Sequence, residues 1–258
     1  MFFLRFIPSI IPFPARVVFA LLALAPQGAS GQTTVSLNLD YAEGRYGERE
    51  RSTAWTLPLI FKHQTGPWVW KLHLPYVRAT GTASAGGDRF SPVRQTQEGF
   101  GDLTATVLHE IIDQGEEGLQ ADLGFKAKFA TSARRNDLIT TGRDDYSLLV
   151  DFLLPLGDAR AMMTLGRTYK QDPQGVDYRN PWFGALGLGH RLGGEAEIGA
   201  YYDYRQALTG SGSPVSEATL YAEWRVGPGY KGQVYLVKGF ADASPDFGAG
   251  LTLSVRFD

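Results

Sequence analysis

The feature that most constrains the fold is an alternation of apolar and polar side chains, repeated in segments of about ten residues from residue 32 onward. In one clear segment Leu123, Phe125 and Ala127 alternate with Asp122 and Lys126. Because successive side chains of a strand point to opposite faces, each segment has one apolar and one polar surface. The alternation therefore predicts many two-faced strands rather than helices.

We predict about twelve strands, within a range of ten to fourteen. Eight segments show the alternation clearly, beginning with the one around Val35 and ending with the one that runs to Phe257. Four weaker segments fill the gaps between them: Gly99–Ile111, Arg160–Lys170, Pro181–Arg191 and Tyr230–Phe240.

The predicted connections alternate between long and short. The long ones are Glu43–Glu50, Thr80–Glu98, Thr131–Asp144, Gln171–Asn180, Ala207–Val215 and Ala241–Asp246. The short ones are Gln64–Pro67, Asp113–Gly118, Leu156–Ala159, Leu192–Gly194 and Gly227–Gly229. Short periplasmic turns and longer extracellular loops are typical of outer-membrane barrels. The pattern predicts an all-β fold, a transmembrane antiparallel β-barrel with both ends of the chain on the periplasmic side.

A soluble β-sandwich or soluble barrel is the structural alternative. A soluble barrel would turn its apolar faces inward, and twelve strands would then enclose more side chains than one interior packs. In lipid the apolar faces turn outward, and closure of the barrel pairs every backbone N–H and C=O. Aromatic residues near the predicted strand ends would form interfacial girdles: Trp55, Trp68, Tyr76, Tyr146, Trp182, Tyr202, Tyr204, Trp224 and Tyr230.

Residues 1–31 resemble a signal peptide. Arg5 and Arg16 supply positive charge, Val17–Ala25 is a short apolar run, and small residues follow up to Gly31. The alternative, a membrane-spanning helix, would need about 20 apolar residues. We therefore expect residues 32–258 to be the exported barrel, located in the bacterial outer membrane.

Composition and motifs give no support for catalysis, metal binding or a cofactor. The chain has no cysteine and a net charge of −2, without a basic block that would predict nucleic-acid binding. No serine lies close to any of the four histidines, His63, His73, His109 and His190, so a serine hydrolase is not predicted. Asp144 and Asp145 form an acidic pair, but His190 is the one histidine that could accompany them. We expect that the chain is not an enzyme.

The polar faces of the strands would surround the lumen. Ten residues on them are candidates for a pore lining: Asp102, Asp122, Lys126, Lys128, Tyr201, Asp203, Arg205, Tyr221, Glu223 and Arg225. The charged members would either pair with one another and brace the interior, or remain free in a wet pore. Tyr201, Tyr221 and Tyr235 would offer stacking surfaces for aromatic solutes.

Three features resemble the outer-membrane transporter family of the MetA-pathway-of-phenol-degradation type. They are the stretch Gly99-Phe100-Gly101-Asp102-Leu103, the preceding Leu74-Pro75-Tyr76 strand and the terminal strand. The resemblance implies a small passive channel for hydrophobic or aromatic compounds, without catalytic residues. One departure is that Phe257, the expected terminal aromatic, is followed by Asp258.

The sequence therefore predicts a monomeric outer-membrane channel for passive passage of small, hydrophobic or aromatic solutes. Its expected partners are outer-membrane lipid, the solute and the barrel assembly machinery, which would recognise the C-terminal strand. Two alternatives stay open. One is a non-conducting surface barrel whose loops, chiefly Thr80–Glu98 and Thr131–Asp144, bind a partner, and the other is an outer-membrane hydrolase.

Overall fold

The computed structural model describes residues 31–84, 92–132, 138–172, 175, 177–193 and 195–258. Residues 1–30, most of the predicted signal peptide, lie outside the described residues. The described ranges contain these strands: β1 (Gln32–Gly44), β2 (Ser52–Thr65), β3 (Trp68–Ser84), β4 (Pro92–Phe100), β5 (Leu103–Asp113), β6 (Gln120–Phe129), β7 (Asp145–Leu156), β8 (Ala159–Lys170), β9 (Trp182–Arg191), β10 (Ala196–Arg205), β11 (Val215–Gly227), β12 (Tyr230–Gly239) and β13 (Phe247–Phe257). In these ranges there is no helix long and apolar enough to cross a membrane.

The strands form one closed antiparallel sheet. Each strand pairs with the next strand in the chain, except that β4 and β5 do not pair with each other and both pair with β3. Strand β1 pairs with β13 and closes the sheet. The closing register runs from Thr33 opposite Phe257 to Glu43 opposite Phe247. Because a closed sheet has no free edge, this meander satisfies the backbone hydrogen bonds of both terminal strands.

Strands β4 and β5 together occupy one position in the barrel. The second half of β3 pairs with β4, and its first half pairs with β5. The strand is interrupted at Gly101 and Asp102, between β4 and β5. There the Gly101 N–H donates to the carbonyl of Pro75 at 2.8 Å. The thirteen strand segments therefore make twelve barrel positions, which confirms the predicted number of strands.

The predicted loop Thr80–Glu98 is wrong in extent. Strand β3 continues to Ser84 and β4 begins at Pro92, so a long hairpin replaces most of that loop. The Arg78–Glu98 ion pair and the Thr80–Thr96 hydroxyl contact of 2.8 Å are exposed on it. This part of the hairpin lacks an apolar face, so its sequence lacks the alternation by which the other strands were predicted.

Two prolines interrupt the sheet in mid-strand. Pro58 and Pro75 are direct partners in the β2–β3 register, far from either end of their strands. The β1–β2 register is unpaired between Leu37 opposite Leu59 and Asp40 opposite Thr56. Proline has no N–H to donate, so the ladder loses bonds beside it. Both prolines therefore lie in the middle of their strands and not near either rim of the barrel.

The barrel has two different ends. The short-turn end carries the two-residue to six-residue connections after β2, β5, β7, β9 and β11, together with the start of β1 and the end of β13. The long-loop end carries the connections after β1, β3, β6, β8, β10 and β12. The predicted alternation of long and short connections is confirmed.

The outer face of the wall is apolar. Its large side chains are exposed, as for Leu186, Leu188 and Leu220 at 62%, 62% and 63%. Trp68 and Tyr230 are exposed on this face near the short-turn end, and Trp182 and Tyr204 near the long-loop end. An apolar band between two aromatic girdles is typical of barrels whose outer face contacts lipid.

Candidate pore lining

The inner face of the barrel is polar, and its residues follow three hydrogen-bonded rows across neighbouring strands. Strands tilt against the axis of a barrel, so such a row climbs the wall as it passes from strand to strand. We name these rows by the side chains that they carry.

The cationic row consists of positive side chains and hydroxyl groups. In order of pairing from β13 to β8 it contains Arg256, Thr34, Lys62, Lys71, Thr106, Lys126, Ser147 and Thr168. Arg256 lies beside the short-turn end and Thr168 near the long-loop end. The row therefore extends from one mouth of the barrel to the other.

The acidic row runs in the same direction as the cationic row, and a row of apolar side chains separates the two. From β5 to β11 it contains Glu110, Asp122, Asp151, Thr164, Ala185, Asp203 and Glu217. Glu110 lies near the short-turn end and Glu217 near the long-loop end. Thr164 donates to Asp151 at 2.6 Å, and no ion pair among the described residues includes a carboxylate of this row.

The apolar row lies between the two charged rows. From β3 to β9 it contains Val69, Leu108, Gly124, Leu149, Gly166 and Phe183. Leu108 and Leu149 are 4% and 7% exposed, and both cover Gly124, where an added Cβ would come within 2.8 Å of each. On β6 this row separates Asp122 from Lys126 by four residues, about 13 Å at 3.3 Å per residue. The charges of the two rows therefore stay apart.

Two tyrosines lie flat against the wall over glycines. The Tyr235 ring covers Gly250, and the Tyr221 ring covers Gly199. The Tyr235 hydroxyl donates to Asp40 at 2.5 Å. Tyr221 donates to Glu197 at 2.7 Å. A Cβ on either glycine would overlap the ring, so glycine at these positions keeps the rings against the wall and out of the centre of the lumen.

A chain of four alternating charges, which we call the loop clamp, lies at the long-loop end. Lys128 contacts Asp102 and Asp145, both at 3.1 Å, and Lys170 contacts Asp145 at 2.7 Å. The carboxylates are 6% and 9% exposed, and Lys170 is 10% exposed. These charges are therefore buried and directly paired.

The loop clamp also binds the described part of the β6–β7 connection at the long-loop mouth. Asp102 accepts hydrogen bonds from the Thr140 hydroxyl at 2.6 Å and the Ser132 N–H at 3.2 Å. The Leu138 N–H donates at 2.9 Å to Gln97, on the inner face of β4. The described part of this connection therefore narrows the long-loop mouth. Near the same mouth, burial and the carboxylates of Glu217 and Asp246 raise the pKa of Tyr46, which keeps its phenol neutral.

Among the described residues the short-turn rim carries four ion pairs, one of which joins Arg256 and Asp258 at 3.4 Å. Arg160 contacts Glu197 at 2.6 Å, beneath Tyr221. Lys231 contacts Glu223 at 2.6 Å, and Arg225 lies 4.0 Å from Glu195 with both side chains more than half exposed. The Arg225–Glu195 pair is solvated and contributes little to stability, whereas the Glu197 side chain of the Arg160 pair is only 11% exposed.

The ten sequence-predicted residues fall into three groups. Asp102 and Lys128 belong to the loop clamp, Glu223 and Arg225 to the short-turn rim, and the others lie on the inner face of the barrel. Of these others, Asp122, Lys126 and Asp203 belong to the two charged rows. The ring centroids of Tyr201 and Tyr221 are 6.2 Å apart. Arg205 pairs with Phe183 in the β9–β10 register.

Sequence reasoning missed several inner-face charges. Lys62 and Asp40 alternate with apolar residues on clear strands, so the period of two would have placed both inward. Glu110 and Glu217 lie closer to strand ends, where the alternation fades. Lys170 and Arg160 lie on β8, where the alternation of apolar and polar side chains is weak.

The residues considered for catalysis do not come together. His73 is on the inner face opposite Thr104, Asp145 is in the loop clamp, and His190 is exposed at the short-turn end. Among the described residues no group of three His, Asp or Glu side chains could hold a metal ion.

Comparison with known proteins gives a fold but no family. No family model matches the chain, and no curated protein sequence matches it. Among solved structures it is similar to the COG4313 outer membrane channel from Pseudomonas putida F1, with a TM-score of 0.69, 14% identity and coverage of 90% of this chain and 100% of that one. The KdgM porin gives a TM-score of 0.54 at 8% identity, covering 87% and 98% of the two chains. The same porin in complex with disordered oligogalacturonate gives 0.53 at 9%, covering 86% and 99%. At these identities the likeness shows the fold, a closed β-barrel of the outer-membrane type.

Proposed function

We propose that this chain is an outer-membrane channel through which small solutes pass passively. The observation that carries the proposal is the contrast between the two faces of one closed wall. The outer face exposes leucine, tryptophan and tyrosine, while the inner face carries continuous rows of charged and hydroxyl side chains. Such a distribution suits lipid outside and water inside.

The size of the barrel supports a narrow pathway. Twelve positions lie between eight-stranded barrels, whose side chains fill the interior, and sixteen-stranded porins with an open aqueous channel. The tyrosines that lie over Gly199 and Gly250 leave the centre of the lumen free, and the loop clamp narrows one mouth. We therefore propose a selective pathway rather than a wide pore.

We propose that small hydrophobic or aromatic compounds are among the solutes. The Tyr201 and Tyr221 rings are neighbours on the lumen wall, with Tyr221 8% exposed, and Phe183 extends the apolar row toward the long-loop mouth. Aromatic rings pair in offset or tilted arrangements at such distances, so these surfaces suit a planar solute. The resemblance to the phenol-degradation family supports the same solute class.

The location and remaining partners follow from the same proposal. We propose cleavage of residues 1–31, recognition of the last strand by the barrel assembly machinery, and a monomer surrounded by outer-membrane lipid. Phe257 is paired with Thr33 in the closing register, one residue from Asp258. The long-loop end would then face the outside of the cell and the short-turn end the periplasm.

Single-channel recording in planar bilayers tests the proposal. We expect discrete current steps from the refolded full chain without residues 1–31, and swelling of liposomes in sugars up to a size limit. We expect this size limit to increase in Asp102→Ala, which removes one carboxylate of the loop clamp. Folded protein that gives neither current nor swelling would contradict the channel and favour the non-conducting surface barrel.

A further inference from the structure

A cavity of about 270 Å³ lies in the lumen at the short-turn end, where the three rows pass close together. Its walls include two lysines from β2 and β3, two aspartates from β6 and β7, and two apolar side chains between them: Lys62, Lys71, Asp122, Asp151, Val69 and Leu108. One water molecule occupies about 30 Å³ of the liquid, so the cavity has room for a small organic molecule.

Like charges are neighbours on each side of this cavity. Lys62 and Lys71 are direct partners in the β2–β3 register, and Asp122 and Asp151 are direct partners in the β6–β7 register. Like charges directly opposite each other in a sheet are unfavourable. Each pair therefore gains from an opposite charge placed between its two members.

The two pairs do not neutralise each other by contact. Among the described residues, no ion pair includes either lysine or either aspartate, and Asp122 interacts with both lysines only through space. Val69 and Leu108, the apolar floor between the pairs, offer no polar partner to water. Glu110 also lines the cavity and adds a third carboxylate on the acidic side, and Asp151 accepts a hydrogen bond from Thr164. The walls therefore supply no contacting opposite charge to either pair, and a solute in the cavity can supply it.

We infer that this cavity binds a small dipolar organic solute, with an ammonium group at one end and a carboxylate at the other. The carboxylate would contact Lys62 and Lys71, the ammonium Asp122 and Asp151, and the intervening methylene groups the apolar floor. This inference deepens the proposed function, because the cavity is part of the same lumen. A monocarboxylate or a monoamine would satisfy only one of the two pairs.

Current block in planar bilayers tests the inference with simple probes. The probe 6-aminohexanoate carries both charges separated by five methylene groups, whereas hexanoate and hexylammonium each carry one. We expect 6-aminohexanoate to block the current at concentrations roughly tenfold lower than either singly charged probe. Glycine, whose two charges are adjacent, should block more weakly than 6-aminohexanoate.

Two double variants separate the contributions of the pairs. Lys62→Gln with Lys71→Gln should weaken block by 6-aminohexanoate roughly fivefold to tenfold and abolish the weaker block by hexanoate. Asp122→Asn with Asp151→Asn should weaken it by a similar factor and abolish the block by hexylammonium. The matched control is Asp203→Asn with Glu217→Gln, which removes two charges of the acidic row at the far mouth and should leave the block unchanged. If a double variant does not fold, Lys71→Gln and Asp122→Asn singly provide the same comparison.

Equal block by hexanoate and 6-aminohexanoate, or block that the four cavity substitutions leave unchanged, would overturn the inference while the channel remained. Calorimetric titration of the folded barrel with 6-aminohexanoate separates the two proposals further. Binding without any current would refute the channel and support the cavity site. The absence of both current and binding would refute both proposals.

Discussion

The loop clamp at the long-loop end and the cavity at the short-turn end use the same charged residue types in opposite ways. At the long-loop end, lysine and aspartate are in direct contact and form the loop clamp, with carboxylates less than a tenth exposed. At the short-turn end, lysines and aspartates of the same lumen are held apart by Val69 and Leu108. The first arrangement fixes a connection in place, and the second leaves charge available to a solute.

Strand register explains the difference. Lys128, Asp145 and Lys170 are successive partners in one row, so their side chains meet. Lys126 is only two residues from Lys128, yet its partner in that register is Ser147. Opposite charges in one row neutralise each other, and opposite charges two rows apart do not. Four predictions test this comparison.

The largest effect is expected from Asp145→Asn. It leaves Lys128 and Lys170 buried together without their shared carboxylate, and breaking a buried ion pair costs about 3–5 kcal/mol. Urea unfolding of the barrel in lipid vesicles measures the loss. The matched control is Asp151→Asn, which belongs to the acidic row and should cost less than about 1 kcal/mol. Equal losses in the two variants would remove the distinction between the mouths.

Leu108→Ala should have the next largest effect. Leu108 is 4% exposed and covers Gly124 in the apolar row, so truncation leaves a void and should cost about 2–4 kcal/mol. The volume-conserving variant Leu108→Met should cost less than about 1.5 kcal/mol. The same urea titration compares them, and a loss below about 1 kcal/mol for the alanine variant would show that the apolar row is not packed.

Thr106→Asp should place a carboxylate between two lysines of the cationic row, as Asp145 lies between two lysines in the loop clamp. Thr106 pairs with Lys71 on one side and Lys126 on the other, so a carboxylate there would meet two ammonium groups. We expect a gain of about 0.2–1 kcal/mol in stability, and a reversal potential in a salt gradient that moves toward cation preference. Thr106→Asn is the uncharged control, and a shift of equal size in that variant would contradict the electrostatic cause.

Arg51→Gln should have the smallest effect. Arg51 contacts Glu43 at 2.7 Å at the long-loop end, but its side chain is 54% exposed. Exposed ion pairs contribute about 0–1 kcal/mol, so thermal unfolding should change by no more than that amount. A loss comparable to that of Asp145→Asn would mean that burial does not distinguish the loop clamp from surface pairs.

The alternation of side chains predicted the barrel because it is a local property. A period of two assigns each residue to a face without knowledge of any partner, and this placed Asp122, Lys126 and Lys128 on one face. The alternation could not predict which of them would be paired. Lys126 and Lys128 are equivalent in the sequence, and only the register with β7 gives one of them a carboxylate as its neighbour. Register depends on the ladders of distant segments and is not encoded in a single strand.

The break between β4 and β5 could not be predicted from the sequence for a related reason. The stretch from Gly99 to Leu103 looks like the start of a strand, because the polar hairpin before it shows no alternation. The cause of the interruption lies on another strand, where Pro75 occupies the position opposite the break and accepts a hydrogen bond from Gly101. A Cβ at Gly101 would approach the Pro75 ring to 2.9 Å, so the close approach requires glycine.

The break between β4 and β5 also acts as a shift of phase in the chain. Odd-numbered residues such as Gln97 face the lumen before it, and even-numbered residues such as Thr104 and Leu108 do so after it. The strand opposite β3 therefore holds one extra residue at this point, and deleting one residue at Gly101–Asp102 would let β4 run directly into β5 with the same side chains toward the lumen. A single-residue deletion within a regular strand of this barrel would exchange the two faces of the residues that follow it in that strand, whereas the same deletion here removes only the irregularity.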